Sequence, residues 1–244
     1  MKRLLSTLKQ KWPEYLLEVF VITLGILGAF ILNNWNEYRK NSSLEDDYYC
    51  RLYEDVIQDE NRLRNHQKET EVRLIASNKL LALLQIDNPN SAEVFDQMLK
   101  AMGGSNFSYH PTTSAFEDIK SSGNLNVLRD IEFKNQLTAY YADCQRILDN
   151  VSGNTKAMDQ FLIRKDNFIE LGGYELAAIS EGFDTTLVDI SEFQNRSYSQ
   201  KSINELKDLA VWYIAISARN LHHFGMLEDE IIKMKTTLES KCQP

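Results

Sequence analysis

The stretch EVFVITLGILGAFILNNWNE, residues 18–37, decides the fold of this 244-residue chain. Fourteen uncharged residues, Val19–Leu32, follow Glu18 and end at a polar run. An apolar run of this length alone is typical of a buried helix or of a signal peptide. Membrane-compatible residues on both sides extend it to residues 15–35, which as an α-helix measure about 31 Å, close to the thickness of the hydrocarbon core. We therefore predict a transmembrane helix over residues 15–35.

Aromatic residues stand at both ends of this predicted span. Trp12 and Tyr15 precede the apolar run, and Trp35 and Tyr38 follow it. Tryptophan and tyrosine are enriched where a membrane meets water, so we predict that these four residues are interface anchors. Glu18 lies one turn inside the span, where its side chain can still reach the interface and costs less than a charge at mid-bilayer.

Two alternatives to a permanent anchor stay open. A cleaved signal peptide fits the basic head and the length of the apolar run, but residues 32–35 offer no small-x-small cleavage site. The core helix of a soluble protein is the other alternative. We expect an uncleaved signal anchor.

The distribution of basic residues predicts the orientation. Four lysines and arginines precede the span, and only Arg39 and Lys40 lie within the ten residues after it. The positive-inside rule then places the N-terminus in the cytoplasm and residues 41–244 outside it. We predict a cytoplasmic head (1–14), a span (15–35) and an extracytoplasmic helical domain (36–244).

One stripe of the span combines small and polar residues. Glu18, Ile22, Gly25, Ala29 and Asn33 recur at spacings of three and four. Gly25 and Ala29 form a small-x-x-x-small pair, which lets two membrane helices approach closely, and Glu18 and Asn33 can hydrogen-bond across the contact. We predict a homo-oligomer packed along this stripe. The alternatives are that glycine and alanine are simply common in spans, and that Glu18 lines a small pore.

Composition and charge exclude several classes of protein. Residues 1–40 contain six basic and three acidic residues, whereas residues 41–244 contain 21 basic and 32 acidic residues. The acidic part repels phosphate backbones, so we expect no nucleic-acid partner, and the basic head suits a lipid bilayer. Only four prolines and ten glycines favour long helices, so we predict an all-α fold.

The sequence offers no constellation for catalysis, a metal or a cofactor. His222 and His223 are adjacent and therefore point about 100° apart on a helix, which is wrong for a metal pair. No Walker loop, nucleophile elbow or zinc-protease motif occurs. We expect no enzyme activity and no cofactor.

The three cysteines leave their pairing open. Cys50, Cys144 and Cys242 show no C-x-x-C spacing, which argues against a zinc ribbon or a thioredoxin-like site. One disulfide with one free thiol is possible if the domain is extracytoplasmic, and three unpaired thiols is the other possibility.

Helical periodicity and capping residues predict the first helices of the soluble part. Apolar spacing runs from Leu44 to Leu84, either from an N-cap at Ser43 or as one helix continuous with the span. Asn90, with Glu93 three residues on, predicts a helix over 91–102.

Two further helix starts are predicted beyond residue 110. Ser114 and Glu117 form a capping box for a short helix that ends at Gly123. Asp130 is a candidate N-cap for the next helix. The apolar face of that helix is predicted as Ile131, Leu137, Tyr140, Cys144, Ile147 and Val151.

The strongest periodicity lies near the C-terminus. Ser202 and Glu205 form a capping box for a helix of roughly 37 residues with a heptad seam. Two polar seam positions, Ser217 and Asn220, either set the oligomeric state or face a thinner part of one core. Long helices near both ends predict an elongated antiparallel helical bundle with a coiled-coil seam. The seam residues are Ile203, Leu206, Ala210, Tyr213, Ser217, Asn220, Phe224, Leu227, Ile231, Met234 and Leu238.

One loop is a candidate recognition site. Phe107, Tyr109, His110 and Phe116 combine aromatic rings with neighbouring hydroxyls around a helix start. Loops on a helical scaffold often carry recognition. The alternative is that the aromatic rings close the end of the bundle.

The order of motifs resembles a known family. LGIL at 24–27, NNWNE at 33–37, TSAFEDIKSSGNLNVLRD at 113–130 and NQLTAYY at 135–141 resemble small single-span membrane proteins of Bacteroidota, catalogued as a domain of unknown function (6090). Thr23 departs from a purely aliphatic span. The resemblance implies an inner-membrane anchor and a helical soluble domain with no established activity, and a Bacteroidota origin would place that domain in the periplasm.

Together these patterns favour a single-pass membrane protein that acts as an oligomeric scaffold or protein-interaction module. The partners expected are the lipid bilayer, other copies of the chain, and an unidentified membrane or periplasmic protein. The alternative is a ligand-sensing or regulatory subunit that signals through a partner.

Overall fold

The computed structural model describes the backbone of residues 2–102, 109–163 and 198–242, together with residues 184, 186 and 187. For residues 2–11, 102, 159 and 161–163 it describes the backbone alone. The described residues contain no strand, so the all-α prediction is confirmed. They form the helices α1 (Lys2–Leu83), α2 (Ser91–Met102), α3 (Ser114–Ser121), α4 (Ile131–Ile163) and α5 (Gln200–Lys241), with a 3₁₀ turn at Asn124–Asn126.

Helix α1 joins the apolar run to the bundle without a break. It continues through Ser43, so the N-cap predicted there is wrong and the alternative of one long helix is right. No proline or glycine interrupts residues 29–83, and nothing therefore stops the helix once it has formed. Side chains become buried from Glu45 onward.

Residues 109–130, the return segment, run back along α1 toward the apolar run. Near its start, the backbone N–H of Thr112 donates to the Asp59 carboxylate at 2.7 Å. Near its end, the N–H of Arg129 donates to Glu45 at 2.7 Å. The return segment therefore runs antiparallel to α1, toward the N-terminal end of that helix.

Helices α4 and α5 complete the bundle. Helix α4 rises parallel to α1, and α5 descends antiparallel to both. Midway along the bundle the Asn154 side-chain amide donates to Asn220 at 2.8 Å. At the end of the bundle nearest the apolar run, Lys241 pairs with Asp130 at 2.6 Å. The predicted elongated antiparallel bundle is confirmed.

The bundle has two apolar cores separated by a polar layer. The proximal core, near the apolar run, contains Leu52, Val56 and Leu227, and the distal core contains Leu80 and Leu206. Both contribute stability through apolar area removed from water. The buried polar layer between them comprises Thr70, Arg73, Ser77, Ser217 and Asn220.

The heptad seam of α5 packs inside this one chain. Every predicted seam residue is buried except Ile203, which is partly buried. The polar seam position Asn220 accepts a hydrogen bond from Asn154 of α4. The seam therefore faces α1 and α4 of the same chain.

Helix α5 starts three residues earlier than predicted. Its N-cap is Ser199, in extended backbone, and the Ser199 hydroxyl accepts the N–H of Ser202 at 3.1 Å. Ser202 is therefore wrong as the cap. The helix has 42 residues. Both serines suit an N-cap chemically, and only the position at which the chain turns distinguishes them.

The other caps agree better with their predictions. Asn90 accepts from the N–H of Ala92 at 3.0 Å, and Asp130 accepts from the N–H of Phe133 at 3.0 Å. Ile131 was wrongly placed on the buried face of α4, because it is 69% exposed. Phe133, two residues on, occupies the core instead.

A disulfide ties the end of α5 to α1. Cys50 and Cys242 are bonded, with 4.7 Å between their Cα atoms, and Cys144 is a free, buried thiol. This decides between the two possibilities for the cysteines in favour of one disulfide and one free thiol.

Candidate functional site: an exposed apolar segment and a carboxylate ladder

The exposed apolar segment, residues 12–40 of α1, is the first candidate site. All its side chains are exposed, and only Gly28 is partly covered. In the part of the chain that the structure describes, α1 is the one helix long and apolar enough to cross a membrane, and none of its most apolar window is buried. The core helix of a soluble protein is mostly buried, so this exposure argues against the core-helix alternative.

The aromatic residues stand exposed at the two ends of this segment. Trp12 and Tyr15 lie at its start, and Trp35 and Tyr38 lie toward its end. Cations cover two of the rings: the guanidinium of Arg39 lies 5.6 Å from the Trp35 ring, and a second arginine lies over Tyr38.

The stripe through the segment is open along its length. Glu18, Ile22, Gly25, Ala29 and Asn33 are all exposed. A Cβ added at Gly25 would meet nothing within 4 Å. The Asn33 amide donates to Glu37 at 3.5 Å on the same helix. Among the described residues, nothing from the bundle packs on this stripe.

The polar residue within the apolar run is satisfied locally. The Thr23 hydroxyl donates to the Val19 carbonyl at 2.7 Å, one turn back. A hydroxyl bonded in this way carries little cost in an apolar medium.

The candidate recognition loop lies partly in the core. Tyr109 is buried and its hydroxyl donates to the Asp59 carbonyl at 3.4 Å. Phe116 is buried and stacks on Tyr141 with 4.2 Å between ring centroids. His110 is exposed, and Phe107 lies outside the described residues.

The second candidate site is a row of buried carboxylates on α1, the carboxylate ladder of Glu45, Asp55 and Asp59. All three are at least nine-tenths buried. Asp59 accepts the backbone N–H of Thr112 at 2.7 Å and its hydroxyl at 2.8 Å. Buried carboxylates are stable when N–H and O–H groups satisfy them in this way.

The middle carboxylate caps α3 from another helix. Asp55 accepts the N–H of Ala115 at 2.9 Å and the Ser114 hydroxyl at 3.0 Å. The predicted capping box is therefore wrong: Thr113 is the N-cap and makes no side-chain cap bond, while Glu117 pairs with Lys120. Gly123 does end this helix, in the left-handed conformation with φ 73°.

The last carboxylate holds the end of the return segment. Glu45 accepts the N–H of Arg129 at 2.7 Å and its Nε at 2.6 Å, and the Tyr49 hydroxyl donates to it at 3.1 Å. Nearby, the Asn124 amide donates to the Tyr48 hydroxyl at 2.7 Å. The ladder thus fixes the return segment at its start, middle and end.

Burial shifts the ionisation of groups around the ladder. Desolvation raises the pKa of Asp59 to about 6, against the lowering effect of the Thr112 donors and of Arg62. Burial also raises the pKa of Cys144 to about 12, so this thiol is protonated at neutral pH and is a poor nucleophile.

Among the described residues, no three histidine, cysteine or acidic side chains are grouped as metal ligands. The His222 and His223 rings lie 5.8 Å apart and tilted. The grooves between α4 and α5 are shallow, with Glu230 and Lys233 on their walls. Sequence reasoning missed the ladder, because acidic residues on a long helix usually face water. The available signal was that Asp55 and Asp59 flank the apolar Val56.

Comparison with known proteins yields one match. The family described as Family of unknown function (DUF6090) matches residues 18–163, more than half of the chain. The matched range contains most of the exposed apolar segment, the carboxylate ladder and the return segment. No curated protein and no solved structure matches the chain.

Proposed function

The chain belongs to the Family of unknown function (DUF6090), and we propose that it is a single-span membrane protein whose helical bundle acts as an oligomeric scaffold or protein-interaction module. The observation that carries this proposal is the exposed apolar segment, whose central run Val19–Leu32 is uncharged and whose most apolar window is not buried at all. Leaving such a segment in water costs about 25 cal/mol for each Å² of apolar surface. A bilayer removes that cost.

Two observations support an extracytoplasmic bundle. The Cys50–Cys242 disulfide suits an oxidising compartment, because thiols in the cytosol are kept reduced. The basic residues before the span exceed those immediately after it, which favours a cytoplasmic N-terminus. The bacterial inner membrane, with the bundle in the periplasm, is the location we propose.

The surfaces that do not already pack within the chain favour assembly through the span. The seam of α5 packs on α1 and α4 of its own chain, so it is not the free surface. The stripe through Gly25 and Ala29 is open, and small residues at this spacing let backbones approach closely. We propose that copies of the chain pack along this stripe, with Glu18 and Asn33 hydrogen-bonded at its ends.

The experiment is the mass of the full chain in detergent, measured by light scattering. The double variant Gly25→Leu/Ala29→Leu should reduce a defined oligomer to a monomer. Thr23→Leu also enlarges a side chain, but about 160° from Gly25 and about 120° from Ala29 around the helix, and should leave the oligomer intact. A monomer in the unchanged protein, in detergent and in lipid nanodiscs, would overturn the scaffold.

A second candidate function is a sensory or regulatory subunit that signals through a partner protein. The continuity of α1 from the apolar segment into the bundle favours it, since a rigid helix couples the two ends. Detergent pull-down of the full chain with one stoichiometric membrane partner, without self-association, would favour this candidate. A pore would instead give ion flux in vesicles that Glu18→Gln alters.

A further inference from the structure

A group of cations surrounds the helix where the exposed apolar segment meets the bundle. Arg39 and Lys40 lie on α1 directly after Trp35 and Tyr38, and Arg129 joins them from the return segment. We propose that this juxtamembrane ring, Arg39, Lys40 and Arg129, binds the phosphate groups of anionic phospholipids. The inference rests on the proposed span and adds a lipid class and a site in the soluble domain.

The side chain of Arg129 reaches down α1 toward the apolar segment. Its backbone N–H is fixed to Glu45 at 2.7 Å. Its Nη2 donates to the Ser42 hydroxyl at 3.0 Å, one turn lower, and its Cζ lies 4.7 Å from the centre of the Tyr38 ring, one turn lower again. The guanidinium therefore lies closer to the apolar segment than its own backbone does.

This position corresponds to the depth of lipid phosphates. Tyr38 is three residues beyond Trp35, a rise of about 4.5 Å along a helix. The headgroup layer of each leaflet is roughly 5–7 Å thick. With Trp35 at the edge of the hydrocarbon core, the guanidinium lies within the headgroup layer.

The chemistry of the site suits a phosphate diester. Glu45 is buried and engages Nε and Nη2, which fixes the plane of the guanidinium. The Arg129 side chain is still 42% exposed, so a lipid headgroup can approach it. Arginine donors match phosphate oxygens in geometry as well as charge.

Charge complementarity selects the lipid phosphate as occupant. Residues 41–244 carry an excess of acidic residues, and a basic ring at the base of such a domain is suited to an anionic surface. Glu37, the acidic residue within 35–40, accepts from Asn33 on the adjacent turn. The ring lies at the end of the exposed apolar segment that adjoins the acidic bundle, the end at which a bilayer would present its phosphates.

The test is native mass spectrometry of the full chain taken from nanodiscs of equal phosphatidylglycerol and phosphatidylcholine. We expect retained lipid to be mainly phosphatidylglycerol. Arg129→Gln should lower the retention of phosphatidylglycerol about fivefold, which is the effect of one basic residue near an anionic surface. Arg129→Lys should lower that retention less. Arg146→Gln is the matched control, because Arg146 is more exposed and pairs with Asp143 farther up α4.

Two more variants separate lipid binding from folding. Arg39→Gln changes the ring on a part of α1 that contacts no other described helix, and should lower retention to a similar degree. Glu45→Gln removes the partner of Arg129 but keeps the cation, so the preference for phosphatidylglycerol should persist. Unchanged retention in both Arg129→Gln and Arg39→Gln overturns the lipid site while leaving the span proposal standing.

Two other outcomes would also overturn the inference. Loss of the preference when inorganic phosphate is added in excess would mean that the ring takes the free ion and not the lipid. A chain that retains no lipid of either class and does not enter nanodiscs would overturn the span proposal, and the ring with it.

Discussion

Helix α1 passes through two different surroundings without changing its backbone. In residues 12–40 the central run Val19–Leu32 is uncharged on every side of the helix, and only Gly28 is partly covered. In residues 45–84 apolar side chains follow one stripe, through Leu52 and Leu80, and that stripe is fully buried by the bundle. The same helix thus has one region buried by the bundle and one that, among the described residues, meets the rest of the chain only where Arg129 lies over Tyr38.

The distribution of apolar residues around a helix, more than their number, indicates what surrounds it. A stripe predicts a protein core on one side and water on the other, whereas apolar residues on every side predict a helix surrounded by a membrane or by other protein. Polar residues follow the same division. In residues 45–84, the upper region of α1, buried carboxylates accept hydrogen bonds from N–H groups of the return segment. In residues 12–40, the lower region, the Thr23 hydroxyl donates to its own helix.

The largest expected effect comes from removing the disulfide, which acts on the upper region alone. The cysteines are 192 residues apart, and the loop that they close spans the whole bundle. The double variant Cys50→Ser/Cys242→Ser should lower the free energy of unfolding by about 5 kcal/mol, because the unfolded chain regains its freedom. Urea unfolding of the full chain in detergent measures it.

Reduction of the unchanged protein provides the control for that prediction. Dithiothreitol should reproduce the loss, while membrane integration stays the same in both cases. Equal stability of the oxidised and reduced proteins would contradict the prediction.

A pair of leucines tests the comparison directly. Leu52 is fully buried, so Leu52→Ala should cost about 3 kcal/mol of unfolding free energy through lost apolar burial and the cavity left behind. Leu24 is exposed, so Leu24→Ala should leave that free energy unchanged. Thermal unfolding followed by circular dichroism measures both, and similar losses in the two variants would mean that the apolar segment packs on the bundle.

The carboxylate ladder predicts a pH dependence that belongs to the upper region. The pKa of Asp59 is raised in the folded chain to about 6 from its ordinary 3.8, so the folded state holds the proton more tightly. Its contribution to stability is therefore full at low pH and declines as pH rises from about 4 to above 6. The expected loss over this window is on the order of 2–3 kcal/mol.

Asp59→Asn isolates this contribution. Asparagine keeps a carbonyl oxygen to accept from Thr112 but does not titrate in this window. Lys241 lowers the pKa of Asp130, so the contribution of Asp130 to stability changes with pH in the opposite direction. The quantity to compare is therefore the difference in unfolding free energy between the unchanged protein and Asp59→Asn at each pH. Parallel curves of unfolding free energy against pH would show that Asp59 does not titrate in this window.

Sequence reasoning succeeded where one helix carries its own signal. The apolar run and the seam of α5 are periodic patterns that need no knowledge of the partner. It failed where a distant residue decides the outcome. Asp55 replaces the local cap of α3, and the choice between Ser199 and Ser202 depends on where the chain enters the bundle.

The candidate sites divide in the same way. The exposed apolar segment was predicted from composition alone. The carboxylate ladder was not, because Glu45 and Arg129 are 84 residues apart in sequence and only the return segment joins them. The pairing of Cys50 with Cys242 was left open for the same reason, since three cysteines do not specify a pair.

The smallest expected effects come from replacing glycines by alanine, which should change the free energy of unfolding in opposite directions at two positions. Gly123 has φ 73°, a conformation that an L residue adopts at a cost, so Gly123→Ala should lower the free energy of unfolding by about 1 kcal/mol. Gly153 lies within α4 with open space around it, so Gly153→Ala should raise it by about 0.5–1 kcal/mol. Gly28 also has open space but lies in the exposed apolar segment, and Gly28→Ala should not change the unfolding of the bundle. Urea titrations of the three variants compare them directly, and a stabilising Gly123→Ala would mean that the turn after α3 relaxes into an ordinary helical conformation. A destabilising Gly28→Ala would place that residue in contact with the bundle and remove the distinction between the two regions of α1.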